Sequence, residues 1–210
     1  MFFRIILLLI ITGAIIIKSK KNLHMLQQNL YNENNRYIKW VLNNSKNFIT
    51  IELACLFLVA LANCFLATKN TIALIINIIT AILYIVFIAK FYKDMKNEQV
   101  KKPLVVTARV KRLIGTETVL YLIPLVVLFL VKDDIVYSSY VVFIYALVAY
   151  LNNLVLLVAN FINKYTLEKY VYYHFKHMAM KKLHSMENLK VVGITGSYGK
   201  TSSKNILADI

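Results

Sequence analysis

Residues 71–91 read TIALIINIITAILYIVFIAKF, a run in which Lys90 is the one charged residue. About 20 residues of helix cross the hydrocarbon core of a bilayer, so a run of this length predicts a transmembrane helix. The whole chain has the same character, with 59% hydrophobic residues, 17% charged residues and a mean hydropathy of +0.61. A soluble globular domain is far less apolar, and the composition therefore predicts a surface that faces lipid.

Four further apolar runs complete a predicted multi-pass membrane region over residues 1–163, and they cover residues 2–17, 48–68, 113–131 and 135–162. The first run is short for a span and the last is longer than a bilayer requires, but we interpret all five runs as spans. The first run would also suit a cleaved signal peptide. Gly13 and Ala14 lie inside that run and lysines follow it directly, which favours an uncleaved anchor.

The distribution of positive charge predicts the topology. Residues 18–47 hold six Lys or Arg, residues 90–112 hold eight, and the stretch after Ile162 holds eight more. By the positive-inside rule these segments are cytoplasmic, the N-terminus is outside the cell membrane and the C-terminal arm is inside. The net charge of +15 is thereby explained by topology and by anionic lipid, so we expect the bilayer as a partner and no nucleic acid.

Polar residues within the spans favour a structural role over an ion or substrate path. Glu52 and Glu117 lie near predicted cytoplasmic ends, where they are expected to reach Lys46 or Arg112, and the other polar residues are uncharged asparagines. Cys55 and Cys64 are nine residues apart on one predicted helix, about 13.5 Å along its axis, which is too far for a disulfide.

Residues 164–188 predict a cytoplasmic amphipathic linker helix, because apolar residues recur there at steps of three to four. Its tyrosines, together with Tyr165, are typical of the aromatic belt where a helix leaves the bilayer. His174 and His177 lie three residues apart without a carboxylate or cysteine at ligand spacing, so we predict no metal site there. The Asn-rich residues 23–47 predict an interfacial helix or loop.

The last part of the chain contains the residues that predict nucleotide binding. Residues 189–195, LKVVGIT, predict a strand, and residues 196–202, GSYGKTS, follow as a loop that leads into a helix near Lys200. Glycine permits positive φ and the close approach of several backbone N–H groups to one phosphate, which suits Gly196 and Gly199. Lys200 is expected on the β- and γ-phosphates and the Thr201 hydroxyl on magnesium. A strict P-loop has glycine at position 194, where this chain has Ile194.

Residues 193–204, GITGSYGKTSSK, resemble the ATP-binding loop of the Mur ligases, a family that shares its central domain with folylpolyglutamate and cyanophycin synthetases. In that family the first glycine of the loop stands in the position of Gly196, which accounts for Ile194. Ser197 and Lys204 are most similar to the branch that adds D-alanyl-D-alanine to a muramoyl tripeptide. The resemblance covers about 20 of the 210 residues.

The resemblance implies an ATP-dependent amide-bond ligase of peptidoglycan synthesis, which activates a substrate carboxylate as an acyl phosphate for attack by an amine. It implies phosphate binding by Gly196, Ser197, Gly199 and Lys200, and magnesium binding with ATP by Thr201, helped by Ser202. The family's catalytic residues and C-terminal domain would lie beyond Ile210. We therefore expect residues 189–210 to be the start of a truncated α/β nucleotide-binding domain and the chain to be an inactive fragment of a longer enzyme.

The expected architecture is mainly α: a bundle of five membrane helices, a helical linker, and the strand, loop and first helix of the ATP-binding domain. The spans stand where soluble members of the D-alanyl-D-alanine branch have a UDP-recognising domain, so the muramoyl peptide is either nucleotide-linked or lipid-linked. The amine is D-alanyl-D-alanine or a similar compound. Alternatives are a membrane scaffold with a non-catalytic P-loop, another ligase of the superfamily, and a transporter powered by a P-loop.

Overall fold

The computed structural model of the chain describes residues 2–44, 50–66, 70–97, 102–130, 135–186, 193, 195, 196 and 198–208. It divides into two compact units, Met1–Glu168 and Lys169–Ile210. The described residues are mostly helical and contain no strand, which confirms the mainly α class for this part of the chain.

The described helices follow the predicted apolar runs in order. They are α1 (Phe2–Gln28), a 3₁₀ segment (Leu30–Asn35), α2 (Arg36–Asn43), α3 (Ile51–Leu66), α4 (Asn70–Asn97), α5 (Ala108–Leu130), α6 (Ile135–Tyr150), α7 (Asn152–Tyr165), α8 (Leu167–His184) and α9 (Lys200–Ala208). The last predicted span, residues 135–162, is therefore two helices and not one.

The core of the first unit is built around α1, which packs against α4, α6 and α7. Leu7 and Ile11 of α1 are fully buried in one apolar cluster with Val59 of α3, Tyr84 of α4 and Ala146 of α6. Small residues such as Ala146 allow neighbouring helices to approach closely, and close packing is what holds helices together where lipid removes the hydrophobic driving force.

The outer surface of this unit is apolar. On α4, Ile75, Ile79, Ile82 and Ile85 are between 46% and 55% exposed. Among the described residues, α4 alone is long and apolar enough to cross a membrane as one helix, and a second span is counted if the bent pair on either side of Leu151 is one span. The number of spans and their orientation remain predictions.

The break at Leu151 corrects the prediction of one continuous span over residues 135–162. The helix axis turns by 77° between Ser139–Tyr150 and the helical stretch that begins at Asn152. Leu151 has φ −83° and ψ 25°, outside the α-helical region, so the regular helix ends there and starts again at Asn152. Apolar periodicity did not reveal this break, because apolar residues continue on both sides of Leu151.

The α7 helix buries three asparagines beside the apolar Leu156 and Ala159. It buries Asn152, Asn160 and Asn163, whereas Leu154 and Phe161 are 53% and 63% exposed. Water would favour the opposite arrangement, because burial of apolar surface and hydration of amides both lower the free energy there. The exposed apolar side chains of α7 suit the lipid surround that the sequence predicts.

Between α1 and α2 the chain turns through the 3₁₀ segment Leu30–Asn35. Leu30, Tyr31, Asn32, Asn34 and Asn35 have positive φ between 50° and 65°. The turn is anchored by the Asn160 amide, which donates to the Tyr31 carbonyl at 3.0 Å, and by the Arg109 guanidinium, 3.8 Å from the centroid of the Tyr31 ring. Burial, aided by the charge of Glu117, raises the pKa of Tyr37, whose hydroxyl donates to Asn153 Oδ1 at 3.0 Å.

Candidate functional site

The predicted phosphate loop has its two glycines in backbone conformations that favour glycine. Gly196 has φ +147° and Gly199 has φ +78°. A Cβ built at Gly199 meets no atom within 4 Å, so the need for glycine there comes from the left-handed φ and not from lack of space. This agrees with the role expected of both residues, a backbone that curves to point several N–H groups in one direction.

The helix expected near Lys200 begins at Lys200, and its first turn is closed by Ser203 N–H, which donates to the Gly199 carbonyl at 2.9 Å. The first N–H groups of a helix have no acceptor within the helix itself, so those of the first turn are free to bind an anion. Lys200, Thr201 and Ser202 all lie in that turn and are exposed. The structure thus brings together Gly199 and these three predicted site residues.

The rest of the predicted site is only partly visible. Ser197 lies outside the described residues, as does most of the expected strand over residues 189–195. Gly193 and Thr195 are described and are not in a strand. The strand and the contact of Ser197 with phosphate therefore remain predictions.

No group of three or more His, Cys, Asp or Glu in the described part of the chain is placed to hold a metal ion. The predicted magnesium ligand, the Thr201 hydroxyl, would need oxygens of ATP beside it, and its role also stays a prediction. Cys55 is buried, Cys64 is exposed and both are free thiols, as the spacing on one helix predicted.

A comparison with protein-family models finds no match, and no curated protein or solved structure matches the chain.

A second polar site, which sequence reasoning did not predict, lies in the first unit at the break between α6 and α7. The Lys18 ammonium donates to Glu52 Oε2 at 2.8 Å, to the Ala149 carbonyl at 3.1 Å and to the Tyr150 carbonyl at 3.0 Å. All three protons of the ammonium thereby have acceptors. The two carbonyls are among those that a helix leaves unpaired at its C-terminus, so Lys18 caps α6.

Asn152, the first residue of α7, organises the other half of this site. Its Oδ1 accepts from the Asn22 amide. Its Nδ2 lies 2.9 Å from Ser19 Oγ, 3.0 Å from Glu117 Oε1 and 2.7 Å from the Tyr121 hydroxyl. The Ser19 hydroxyl also donates to Glu117 Oε1 at 2.6 Å, so this carboxylate is held by hydrogen bonds from α1 and α7. We call Lys18, Glu52, Glu117 and Asn152 with these partners the polar cluster.

Glu117 has other partners than the Arg112 expected for it, and Glu52 has a partner that was not expected. Glu52 pairs with Lys18, while Lys46 lies outside the described residues. Glu117 binds Ser19 and Asn152, and Arg112 instead makes an ion pair with Glu168 at 2.7 Å. Lys18 and Glu52 both border apolar runs in the sequence, but they are 34 positions apart, so their pairing becomes evident only in the folded structure.

Proposed function

We propose that this chain is the membrane-anchored N-terminal part of an ATP-dependent amide-bond ligase of peptidoglycan synthesis. Its loop at residues 196–202 binds ATP with magnesium, and its apolar helices hold the enzyme at the cytoplasmic face of the cell membrane. The substrate is a muramoyl peptide, and the amine is D-alanyl-D-alanine or a similar compound.

The observation that carries the proposal is the conformation of the loop. Gly199 has a left-handed φ directly before a helix that starts with Lys200 and Thr201. Backbone amides of the first turn and the Lys200 ammonium would hold the phosphates, and the Thr201 hydroxyl would face the magnesium ion. Gly196 and Ser197 would complete the curve of backbone around the phosphates, and Ser202 would support Thr201.

The chemistry needs little from this part of the chain beyond binding and orientation. Bound Mg-ATP would supply the γ-phosphoryl group that converts the substrate carboxylate into an acyl phosphate. Lys200 and the main-chain amides would place their positive charge against the phosphate oxygens, where charge accumulates as the phosphoryl group transfers. The residues that act on the carboxylate and on the amine would be supplied by the following domains.

The apolar surface of the first unit supports the membrane location. Exposed isoleucines on α4 and the exposed Leu154 and Phe161 of α7 both suit a lipid surround. The break between α6 and α7, held by a buried ion pair, is a feature of polytopic membrane proteins in which irregular backbone is enclosed by protein. With the basic segments on the cytoplasmic side, the ATP loop lies where ATP is present.

The first test is the variant Lys200→Ala in the full-length protein. The Lys200 ammonium contributes a charge-assisted contact of about 1.5–3 kcal/mol, so ATP affinity should fall by roughly 10-fold to 100-fold and ligase activity with it. Lys96→Ala, which removes an exposed lysine from α4, is the matched control and should change neither. If Lys200→Ala binds ATP and complements a null strain as the wild type does, the loop is not catalytic and a membrane scaffold is favoured.

The second test addresses the substrate. Full-length protein is supplied with ATP, D-alanyl-D-alanine and either a UDP-linked or a lipid-linked muramoyl peptide, and phosphate release is measured. The membrane region takes the place of a UDP-recognising domain, and we therefore expect faster turnover of the lipid-linked form. A clear preference for the UDP-linked form would exclude the lipid-linked peptide as the preferred substrate. It would not affect the proposal that the loop binds ATP.

A further inference from the structure

Glu117 is a buried acid without a cationic partner among the described residues. It is 3% exposed and is bound by two neutral groups, the Ser19 hydroxyl at 2.6 Å and the Asn152 amide at 3.0 Å. The cation expected for it, Arg112, makes an ion pair with Glu168 instead. An ionised carboxylate inside a protein is unfavourable unless a cation compensates it, so this group must be neutralised in another way.

The other charged and titratable groups around this carboxyl do not supply the missing cation. On α1, the Lys18 ammonium is paired with Glu52 at 2.8 Å, and its remaining protons go to two carbonyls of α6. The titratable groups that surround it on other helices and on α5 itself are phenols, which carry no positive charge: Tyr37 of α2, Tyr121 of α5 and Tyr145 of α6. From α7 the Asn152 amide faces it. In the part of the chain that the structure describes, the polar cluster thus holds two acids and one lysine.

The two oxygens of the Glu117 carboxyl have different surroundings. Oε1 takes the hydrogen bonds from Ser19 and Asn152, and Oε2 makes none with any residue that the structure describes. Both oxygens of a buried carboxylate carry lone pairs that need donors. A protonated carboxyl has one carbonyl oxygen that accepts and one O–H group that does not. The observed pattern therefore favours a proton on Oε2.

A metal ion fits this position less well than a proton does. The Asn152 amide nitrogen lies 2.9 Å from Ser19 Oγ, 3.0 Å from Glu117 Oε1 and 2.7 Å from the Tyr121 hydroxyl, so the oxygens that could serve as ligands already surround a nitrogen. A metal ion needs several oxygens at once, whereas a proton needs one.

We propose that Glu117 is a proton-binding site within the first unit, whose Oε2 takes a proton from water and holds it at neutral pH. With this O–H bond formed, the polar cluster contains one ion pair and no net charge. Loss of the proton would place a negative charge beside Asn152, the first residue of α7, where the helix breaks. The inference does not depend on ligase activity or on the number of spans, because the carboxyl is enclosed by the protein itself.

The test is infrared spectroscopy of the full chain at neutral pH, in a detergent without ester groups and with isotope-labelled glutamate. The carbonyl stretch of a protonated carboxyl is separate from the bands of a carboxylate, and acids in water are ionised at this pH. Wild type is compared with Glu117→Gln and with Glu33→Gln, the matched control, which removes an exposed glutamate. Glu52→Gln is measured as well, because Glu52 is the other acid of the cluster.

We expect the wild type to show a protonated glutamate band equivalent to one group per chain. Glu117→Gln should lose this band, while Glu33→Gln and Glu52→Gln should keep it. Absence of the band from the wild type would show that Glu117 is ionised and would overturn the inference. A band that survives in Glu117→Gln and disappears in Glu52→Gln would assign the proton to Glu52, with the same consequence.

Thermal unfolding of the same proteins gives an independent result. Glutamine keeps a carbonyl oxygen for Ser19 and Asn152 and carries no charge, so Glu117→Gln should unfold at the same temperature as the wild type and Glu33→Gln. An ionised Glu117 would instead make charge-assisted hydrogen bonds that glutamine cannot replace. A lower unfolding temperature of Glu117→Gln, or its failure to fold, would therefore contradict a proton on this residue.

Discussion

At the scale of single residues, the backbone conformation at Gly199 restricts which residue can stand at that position of the ATP loop. Its φ of +78° is unfavourable for a residue with a Cβ by about 1–2 kcal/mol. Gly199→Ala should therefore shift the loop away from its binding conformation and weaken ATP affinity by roughly 5-fold to 30-fold. Titration of the full-length variant with a fluorescent ATP analogue measures this.

Gly115→Ala is the matched control for this prediction. Gly115 lies within α5, has ordinary φ, and a Cβ there meets nothing within 4 Å. Alanine is a better helix former than glycine by about 0.5–1 kcal/mol, so this variant should be slightly stabilised and bind ATP normally. Equal ATP affinity of the two variants would contradict a special role for the conformation of Gly199.

At the scale of the helices, the polar cluster determines where the last apolar run bends. Lys18 contributes both the partner of the buried Glu52 carboxylate and the cap for the carbonyls of Ala149 and Tyr150. Lys18→Met should lower the free energy of unfolding by about 3–5 kcal/mol, because it leaves a buried charge without a partner. Thermal unfolding in detergent measures the loss.

Two further variants test whether the loss of stability in Lys18→Met comes from the unpaired charge of Glu52. Lys20→Met removes an exposed lysine two residues away on α1 and should change stability by no more than about 0.5 kcal/mol. The double variant Lys18→Met, Glu52→Met removes both charges and should recover much of the loss. A double variant as unstable as Lys18→Met alone would mean that the cap on α6, and not the ion pair, holds the break.

At the scale of the whole molecule, the arrangement of charged segments predicts which links face the cytoplasm. In a Cys55→Ala, Cys64→Ala background, Asn70→Cys at the start of α4 should react with a membrane-impermeant maleimide on intact cells. Lys102→Cys, in the basic segment before α5, should react only after the cells are permeabilised. The reverse pattern would place the ATP loop outside the cell and exclude the proposed ligase.

Several features could be read from the sequence. The apolar runs anticipated α1, α3, α4 and α5 to within a few residues, except that α1 continues to Gln28 and α4 to Asn97. The start of a helix at Lys200 and the positive φ of Gly196 and Gly199 also follow from the sequence, because glycine and helix N-terminal preferences act over a few residues. The ligase function and the number of spans remain proposals.

The sequence by itself thus determined the features that depend on local physics: the helical class, the apolar surface of the helices and the glycine turn before α9. Only the tertiary structure decided that Lys18 meets Glu52, that Asn152 gathers Ser19 and Glu117, and that the helix breaks at Leu151. The physical reason is that these contacts join residues far apart in the chain. A buried polar group takes whichever partner packing brings to it, and neither hydropathy nor periodicity encodes that partner.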